Sequence, residues 1–248
     1  MSRSFDGTND SVDFGTTALF HQIGNLSWAF WLKLTGSPDD FDMYVTIEGG
    51  VGETEAENAT FFLDSSSVRR IRYIHERGAG LNEAYTFSPG GPTLNTNQWY
   101  HLIWSRDVAA NTVVGYVNNG GSPYDTFNYT NDPTNTGTTM NYRLGERSDG
   151  NWDLSNAKIA ATVYSNVVWT AAERTAVYEN RVLTGASRGL LHYASFMTDE
   201  GSTEPDLSGN SNHGTIVGAA FDADNPPIPL PDVEPADLFW FMPIIDAR

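Results

Sequence analysis

Apolar and polar residues alternate along much of this chain with the two-residue period of a β-strand. Segments 98–106 and 112–117 differ, because apolar residues occupy both parities near their centres, as in strands covered on both faces. The polar stretch 107–111 between them predicts a turn, so the two segments predict a buried β-hairpin. The alternation is clearest in segment 25–34, where one face of the predicted strand carries Leu26, Trp28, Phe30, Leu32 and Leu34.

Turn-forming residues separate these runs and place further strands along the chain. The predicted strands cover 2–5, 11–14, 25–34, 43–48, 59–63, 69–75, 83–87, 98–106, 112–117, 140–145 and 156–164. Such a series of short strands is typical of two antiparallel sheets packed face to face. We therefore predict an all-β sandwich, which 248 residues are long enough to build around a substantial core.

One short helix and one extended segment follow the predicted strands. Thr170 and Glu173 form a Thr-x-x-Glu capping box, which predicts a short helix near 170–181. Four prolines between 226 and 231 then favour an extended backbone, because proline fixes φ and lacks a hydrogen-bond donor. These features divide the chain into a predicted sandwich domain, residues 1–222, and an extended C-terminal arm, residues 223–248.

Charge and composition exclude several classes of function. The formal net charge is −17, and Lys33 and Lys158 are the only lysines, so we predict no nucleic-acid partner. The chain has no cysteine, which excludes disulfides and thiolate metal sites. The sequence shows neither a signal-peptide pattern nor an apolar run long enough to cross a bilayer, so we also predict no membrane insertion.

Several pieces of the sequence, in the right order, resemble the laminin G-like, concanavalin A-like lectin/glucanase superfamily. They include the first hairpin SFDGTNDSVDF at 4–14 and the central hairpin WYHLIWSRD with NTVVGYVNNG at 99–120. The strand at 156–164, the capped helix and the element ending in DLSGNSNHGT at 206–215 continue the resemblance. It spans roughly residues 2–220 and implies a two-sheet antiparallel jelly roll. Asn-Asn-Gly-Gly replaces the Asp-Gly turn that the family usually has.

The sequence gives little support for catalysis. Laminarinase-type relatives carry Glu-x-Asp-x-Glu on a strand, and the nearest match here is ETEAE at 53–57, with Glu at the central position. That match follows a glycine-rich stretch, which predicts a loop and not the rigid support that paired catalytic carboxyls need. The five histidines are scattered, without the spacing of zinc ligands. We predict that the chain is not an enzyme and requires no cofactor.

Calcium is the one metal that the sequence leaves open. It binds oxygen ligands, and related domains bind it at the sandwich rim. The candidate ligands are Asp6 and Asp10 in one predicted turn, and Asp206 and Asn210 in another. The same residues are also those that form tight turns without any metal.

Two functions follow from the sequence and the resemblance. The first is a carbohydrate-binding module of a secreted or cell-surface bacterial protein, because exposed aromatic rings beside amides and carboxylates bind sugars. The candidate glycan-binding residues are Trp152, Asp149 and Asn151 in one polar loop, and Tyr124 and Tyr129 in another.

The second function, which the sequence favours over the first, is a virion-surface protein of a tailed phage, as a capsid decoration or tail-associated component. Glycan binding is compatible with this role. The layout of the chain resembles laminin G-like virion proteins, and the location expected is virion or extracellular. The predicted assembly contact is the apolar tail: Leu238, Phe239, Trp240, Phe241, Ile244 and Ile245. Contiguous apolar surface of this kind marks contact sites, so we predict self-association or docking on particle-shell subunits through it. The alternative is that the tail folds back onto its own sandwich.

Overall fold

The computed structural model describes residues 1–36, 43–48, 57–63, 71–76, 82–86, 94–118, 121–133, 140–146, 153–196 and 201–228. These residues form sixteen strands, two short helices and one 3₁₀ turn at Ala18–Phe20. The strands are β1 (Ser2–Phe5), β2 (Ser11–Thr17), β3 (Leu26–Leu34), β4 (Met43–Glu48), β5 (Glu57–Leu63), β6 (Ile71–Glu76), β7 (Asn82–Thr86), β8 (Trp99–Asp107), β9 (Thr112–Val117), β10 (Asp125–Asn128), β11 (Met140–Leu144), β12 (Ala157–Ser165), β13 (Leu190–Ala194), β14 (Thr203–Glu204), β15 (Gly214–Val217) and β16 (Ala220–Asp222). The helices are α1 (Ala171–Tyr178) and α2 (Val182–Gly185).

The strands form two antiparallel sheets of eight strands each, as the sequence predicts. Sheet A has the order β10-β9-β8-β3-β12-β1-β16, and β13 also pairs with β12. Sheet B has the order β14-β15-β2-β11-β4-β5-β6-β7. Consecutive strands β1 and β2 lie in different sheets, so the turn between them crosses from one layer to the other. This arrangement confirms the two-sheet jelly-roll sandwich.

The central strands of sheet A are buried on both faces, which explains their apolar residues on both parities. Trp28 of β3 lies opposite Trp104 of β8, and both side chains belong to the core between the sheets. The neighbouring pair Ala29 and Ile103 belongs to a second cluster on the outer face, together with Trp169 and residues of α1 and α2. The predicted buried hairpin is therefore confirmed.

The helical segment that covers sheet A begins where the sequence predicts. Thr170 is the N-cap of α1, and its hydroxyl accepts from the Glu173 main-chain N–H while the Glu173 carboxylate accepts from the Thr170 N–H at 2.7 Å. Arg188 donates twice to the same carboxylate. The hydrogen bonds from Arg188 are the largest cause that lowers the pKa of Glu173, to about 2. The helix of four residues, α2, was not predicted, because it is too short to show a helical period.

Five strands lie outside the predicted strand segments: β10, β13, β14, β15 and β16. The stretch around 124–129, predicted as a polar loop, contains β10, which pairs with β9 along the edge of sheet A. Its polar residues hid it, since an edge strand with half-exposed side chains shows no apolar alternation. Strand β16 pairs with β1, so the predicted sandwich domain ends within sheet A, at Asp222.

The first residues of the predicted arm lie against the outer face of sheet A. The Asp224 carboxylate accepts from Lys33 Nζ at 2.7 Å, Lys158 Nζ at 3.1 Å and Trp99 Nε1 at 3.3 Å. Ile228 packs against a small cluster around Trp31. Residues 229–248, including the predicted assembly contact, lie outside the described residues.

A buried ion pair joins the two sheets at one edge. Arg3 of β1 places its guanidinium 3.4 Å from the carboxylate of Glu204 in β14, and each side chain is 2 % exposed. The second Glu204 oxygen accepts from the Phe196 main-chain N–H at 3.1 Å. Removing one partner of such a pair leaves an uncompensated charge in the interior.

We expect Glu204→Gln to lower the free energy of unfolding, by up to about 3–5 kcal/mol, because it removes a buried carboxylate from the Arg3 guanidinium between the sheets. Urea denaturation followed by tryptophan fluorescence measures this loss. The double variant Arg3→Met/Glu204→Met removes both charges and should recover most of it. A Glu204→Gln protein as stable as wild type would show that the ion pair does not hold the edge.

The contacts of the Asp224 carboxylate predict how the stability of the fold changes with pH. Partial burial raises the pKa of Asp224, but the hydrogen bonds from Lys33, Lys158 and Trp99 outweigh it and hold the pKa at about 2. A carboxyl with a folded-state pKa below its unfolded value of about 3.9 stabilises the fold above that value and loses the effect as pH falls through 2.

We expect Asp224→Asn to cost less than about 1 kcal/mol at pH 6, because the side chains are partly exposed. The difference from wild type should shrink between pH 4 and pH 2. Chemical denaturation at several pH values tests this, and a difference that grows on acidification would contradict the assignment.

Candidate functional site

An open cleft of about 450 Å³ lies on the outer face of sheet B. Its floor comes from three adjacent strands, because Asp13 of β2 is the register partner of both Arg143 in β11 and Thr215 in β15. The core residues Val12 and Phe14 flank Asp13 and point the other way, between the sheets. Further polar groups of the lining come from Asn9, Glu146 and His213.

Arg143 is held at the centre of this cleft by two carboxylates. Its Nη2 donates to Asp13 Oδ2 at 2.6 Å, and its Nη1 donates to Glu146 Oε2 at 3.3 Å. The other oxygen of Asp13 accepts from the Gly15 main-chain N–H at 2.7 Å. All three side chains keep part of their surface in solvent. The group carries two negative charges and one positive charge.

A bulge in β2 shapes the cleft. The pairing with β11 shifts between Asn141↔Thr16 and Arg143↔Asp13, so β2 has one extra residue there. Gly15 lies in that extra stretch with φ +80°, a backbone conformation that favours glycine. The bulge therefore brings the Gly15 N–H onto the Asp13 carboxylate and leaves the cleft open above it.

His213 contributes a fixed donor. Its Nδ1 accepts from the Asp206 main-chain N–H at 3.0 Å, so the neutral ring carries its proton on Nε2. The loop that holds it is organised by the buried Asp206 carboxylate. That carboxylate accepts from the N–H groups of Tyr193, Ser208 and Asn212 and from the Ser208 hydroxyl.

The predicted calcium ligands Asp206 and Asn210 therefore share one turn, but the protein itself supplies donors to both oxygens of the Asp206 carboxylate. Asn210 donates its amide to the Leu191 carbonyl at 2.9 Å. A cation at Asp206 would have to displace donors from its carboxylate. Calcium in this turn stays a prediction.

The other predicted calcium ligands, Asp6 and Asp10, lie in the turn that crosses between the sheets. Asp10 is 5 % exposed, and its Oδ2 accepts from the Asp6 N–H at 2.6 Å. Burial raises the pKa of Asp10, and the nearby carboxylates of Asp6 and Asp153 raise it further. Asp153, which accepts from the Asn9 N–H, is a third acidic residue that the sequence did not nominate. Among the residues described, no group of three His, Asp or Glu is arranged as a metal site.

Tyr124 and Tyr129, the two predicted glycan-binding residues that the structure describes, do not line this cleft. Trp152, Asp149 and Asn151 are outside the described residues. Tyr124 is half-buried beside the core, and Tyr129 is only 4 % exposed, with its hydroxyl donating to the Asp107 carbonyl at 3.3 Å. Burial raises the pKa of Tyr129 to about 12.

Sequence reasoning missed the cleft residues, although a signal was present. Asp13 and Arg143 occupy polar positions of the outward parity in two predicted strands. What could not be inferred is that these strands, 130 residues apart in sequence, are neighbours in sheet B.

The fold and the cleft define a lectin-like jelly roll, and comparison with known families agrees. The model of the concanavalin A-like lectin/glucanases superfamily matches residues 6–173, more than half of the chain. The chain belongs to this superfamily. Among proteins with curated descriptions, none matches it.

Solved structures show the same fold at low sequence identity. A candidate carbohydrate binding protein from Bacteroides ovatus ATCC 8483 is 16% identical with a TM-score of 0.59, and the match covers 88% of this chain and 58% of that chain. This chain therefore spans less than two thirds of the length of that protein. The CBM40 of a Ruminococcus gnavus IT-sialidase, bound to α2,3-sialyllactose, is 9% identical with a TM-score of 0.51, covering 71% of this chain and 96% of that one. No helix among the described residues is long and apolar enough to span a bilayer.

The calcium prediction at Asp6 and Asp10 is tested by thermal denaturation. If this turn binds calcium, millimolar calcium chloride should raise the melting temperature, because a cation would offset the repulsion among the clustered carboxylates. For a chain of this size each kcal/mol of binding corresponds to roughly 2–4 °C. The effect should disappear with chelator and in Asp10→Asn, while sodium chloride of equal ionic strength serves as the control. A wild-type melting temperature that does not change with calcium would contradict calcium binding at this turn.

Proposed function

We propose that this chain is a non-catalytic carbohydrate-binding module whose ligand lies in the cleft around Arg143. The observation that supports this proposal is the fixed polar array of Asp13, Arg143 and Glu146 on the free face of a lectin-like sandwich. The likeness to a candidate carbohydrate binding protein is in keeping with it.

The cleft matches the hydrogen-bonding needs of sugar hydroxyls. Each hydroxyl both donates and accepts, so a sugar site needs acceptors and donors side by side. Asp13 and Glu146 supply acceptors, while Arg143 and the Nε2–H of His213 supply donors. Because the ion pairs already fix these groups, little conformational entropy is lost when a ligand binds.

The charge of the cleft favours neutral sugars. Two carboxylates face one guanidinium, and the chain as a whole carries a formal charge of −17. A sialic or uronic acid would meet repulsion both at the site and on approach. We therefore expect neutral hexose-containing oligosaccharides as ligands.

The same ion pairs argue against catalysis in the cleft. Glycoside hydrolysis needs one carboxyl to act as an acid and a second to act as a nucleophile or base. Asp13 and Glu146 instead both bind one arginine, which fixes them as partners of that residue. The described cleft thus supports binding and not bond cleavage.

The virion-surface role stays a prediction from the family resemblance. A protein on a particle surface can also bind glycans, so the two functions are compatible. Self-association and docking on shell subunits depend on the tail at 238–245, outside the described residues.

We expect the protein to bind neutral oligosaccharides on a glycan array and to show weak or no signal with sialylated ones. Glu146→Gln should weaken binding about 10-fold or more, because a hydrogen bond to a charged group is worth roughly 1.5–3 kcal/mol. Isothermal titration calorimetry with the best neutral ligand measures this loss.

Glu179→Gln is a matched control, because Glu179 also pairs with an arginine, Arg181, but lies beside the helices on the other sheet. It should bind like wild type. Equal affinity of Glu146→Gln and wild type would overturn the assignment of the cleft. Preference for acidic glycans would contradict the prediction that the ligands are neutral oligosaccharides.

A further inference from the structure

A second cleft, of about 370 Å³, lies between α2 and β13 on the side of the molecule covered by the helices. We call it the helix cleft, and its lining includes Asn180, Val182, Leu183, Thr184, Tyr193 and Leu207. Its volume falls within the roughly 300–1,000 Å³ of clefts that hold small ligands. It has room for one or two large side chains.

The rims of the helix cleft are unusually apolar for exposed surface. Leu183 is 52 % exposed and Leu207 is 42 % exposed, although most of the other leucines in the described segments are buried. The polar groups of the cleft are largely satisfied internally, since the Tyr193 hydroxyl donates to Asn180 Oδ1 at 2.7 Å. Adjacent exposed apolar side chains of this kind mark a contact site.

The start of the arm runs towards this part of the molecule. Asp224 binds Lys158, Lys33 and Trp99, which belong to the adjacent strands β12, β3 and β8. Four residues later, Ile228 packs on the cluster around Trp31, which also contacts Tyr178. Tyr178 ends α1, and Asn180 of the helix cleft follows it by two residues.

The sequence beyond Ile228 carries an apolar segment that would fit the cleft. Segment 238–245 reads LFWFMPII, without a charged or hydrogen-bonding side chain except the indole of Trp240. Nine residues, 229–237, join it to the described chain, and an extended proline-rich backbone of that length reaches about 28 Å. That reach exceeds the diameter of about 10–12 Å of one helix.

We propose that segment 238–245 docks in the helix cleft of its own subunit, with a large apolar side chain placed between Leu183 and Leu207. The first part of the arm is bound to its own sheet A, which keeps the tail at a high effective concentration near its own cleft. A neighbouring copy offers the same cleft only at its solution concentration. Docking in cis is therefore favoured over docking in trans.

The experiment uses the absence of cysteine from the chain. Thr184→Cys places one thiol on the exposed wall of the helix cleft, and Ala247→Cys places another just beyond the apolar segment. A short bifunctional maleimide is added to the full-length double variant at several protein concentrations. The products are identified by mass and by peptide mapping.

The matched control is Thr126→Cys with Ala247→Cys. Thr126 is also an exposed threonine, and it pairs with Val114, which packs on the same outer face of sheet A. A tail that moved freely could reach this position too, but Thr126 lines neither the helix cleft nor the cleft around Arg143.

We expect a monomeric cross-linked product for Thr184→Cys/Ala247→Cys, formed at a rate independent of concentration and at least five-fold faster than in the control. Adding Leu183→Asp should lower this rate to that of the control. A cross-linked dimer whose yield rises with concentration would overturn docking in cis. Equal rates in the two pairs, or no product in either, would overturn docking in the helix cleft. None of these results affects the proposed sugar site on sheet B.

Discussion

The central strands of sheet A bury side chains on both faces, and most of the architecture follows from this. The inner face meets sheet B through Trp28, Phe30 and Trp104. The outer face carries Ala29, Ile103 and Val163, which would lie in water if nothing covered them. Because such a strand is stable only under a second layer, the chain after β12 has to return across sheet A. The helices and the start of the arm provide that layer.

Specific polar contacts fix the covering layer in place. Ser27 and Ser105 face each other on the outer side of β3 and β8, with their hydroxyl oxygens 2.7 Å apart. Ser27 Oγ also accepts from the main-chain N–H of Trp169, at 3.0 Å, just before α1 begins. The chain thus enters the helix at a defined point, and Trp169 is buried over the sheet. At the other end of the same face, Lys33 and Lys158, the only two lysines, bind Asp224. Both lysines of this acidic chain therefore help to hold the start of the arm on sheet A.

Much of this fold could be predicted from the sequence, because the controlling signals are local. The parity of segment 25–34, the capping box at Thr170 and the proline-rich start of the arm each act over a few residues. The short elements α2, β10 and β16 could not be predicted, since tertiary pairing forms them and their own composition does not. The polar cleft was missed for a related reason. Asp13, Arg143 and Thr215 meet only through the order of strands in sheet B, which no local pattern encodes. Tyr129 was nominated because polar residues surround it, yet it is buried against the core.

The two sheets consequently present different surfaces to a partner. The outer face of sheet A is covered by the helices and the start of the arm. The exposed side chains of this covering layer are apolar around the helix cleft, and the described part of the arm ends on the same face. Sheet B exposes its own strands around β2, β11 and β15, where carboxylates and a guanidinium stand in register. A rigid strand surface positions polar groups more precisely than a loop, because each side chain is fixed by the ladder on both sides. The proposed sugar site therefore lies on sheet B, and the proposed docking of the apolar tail lies on sheet A. Asp206 connects the two surfaces, because its carboxylate accepts from the Tyr193 N–H beside the helix cleft and its own N–H donates to His213 in the cleft on sheet B.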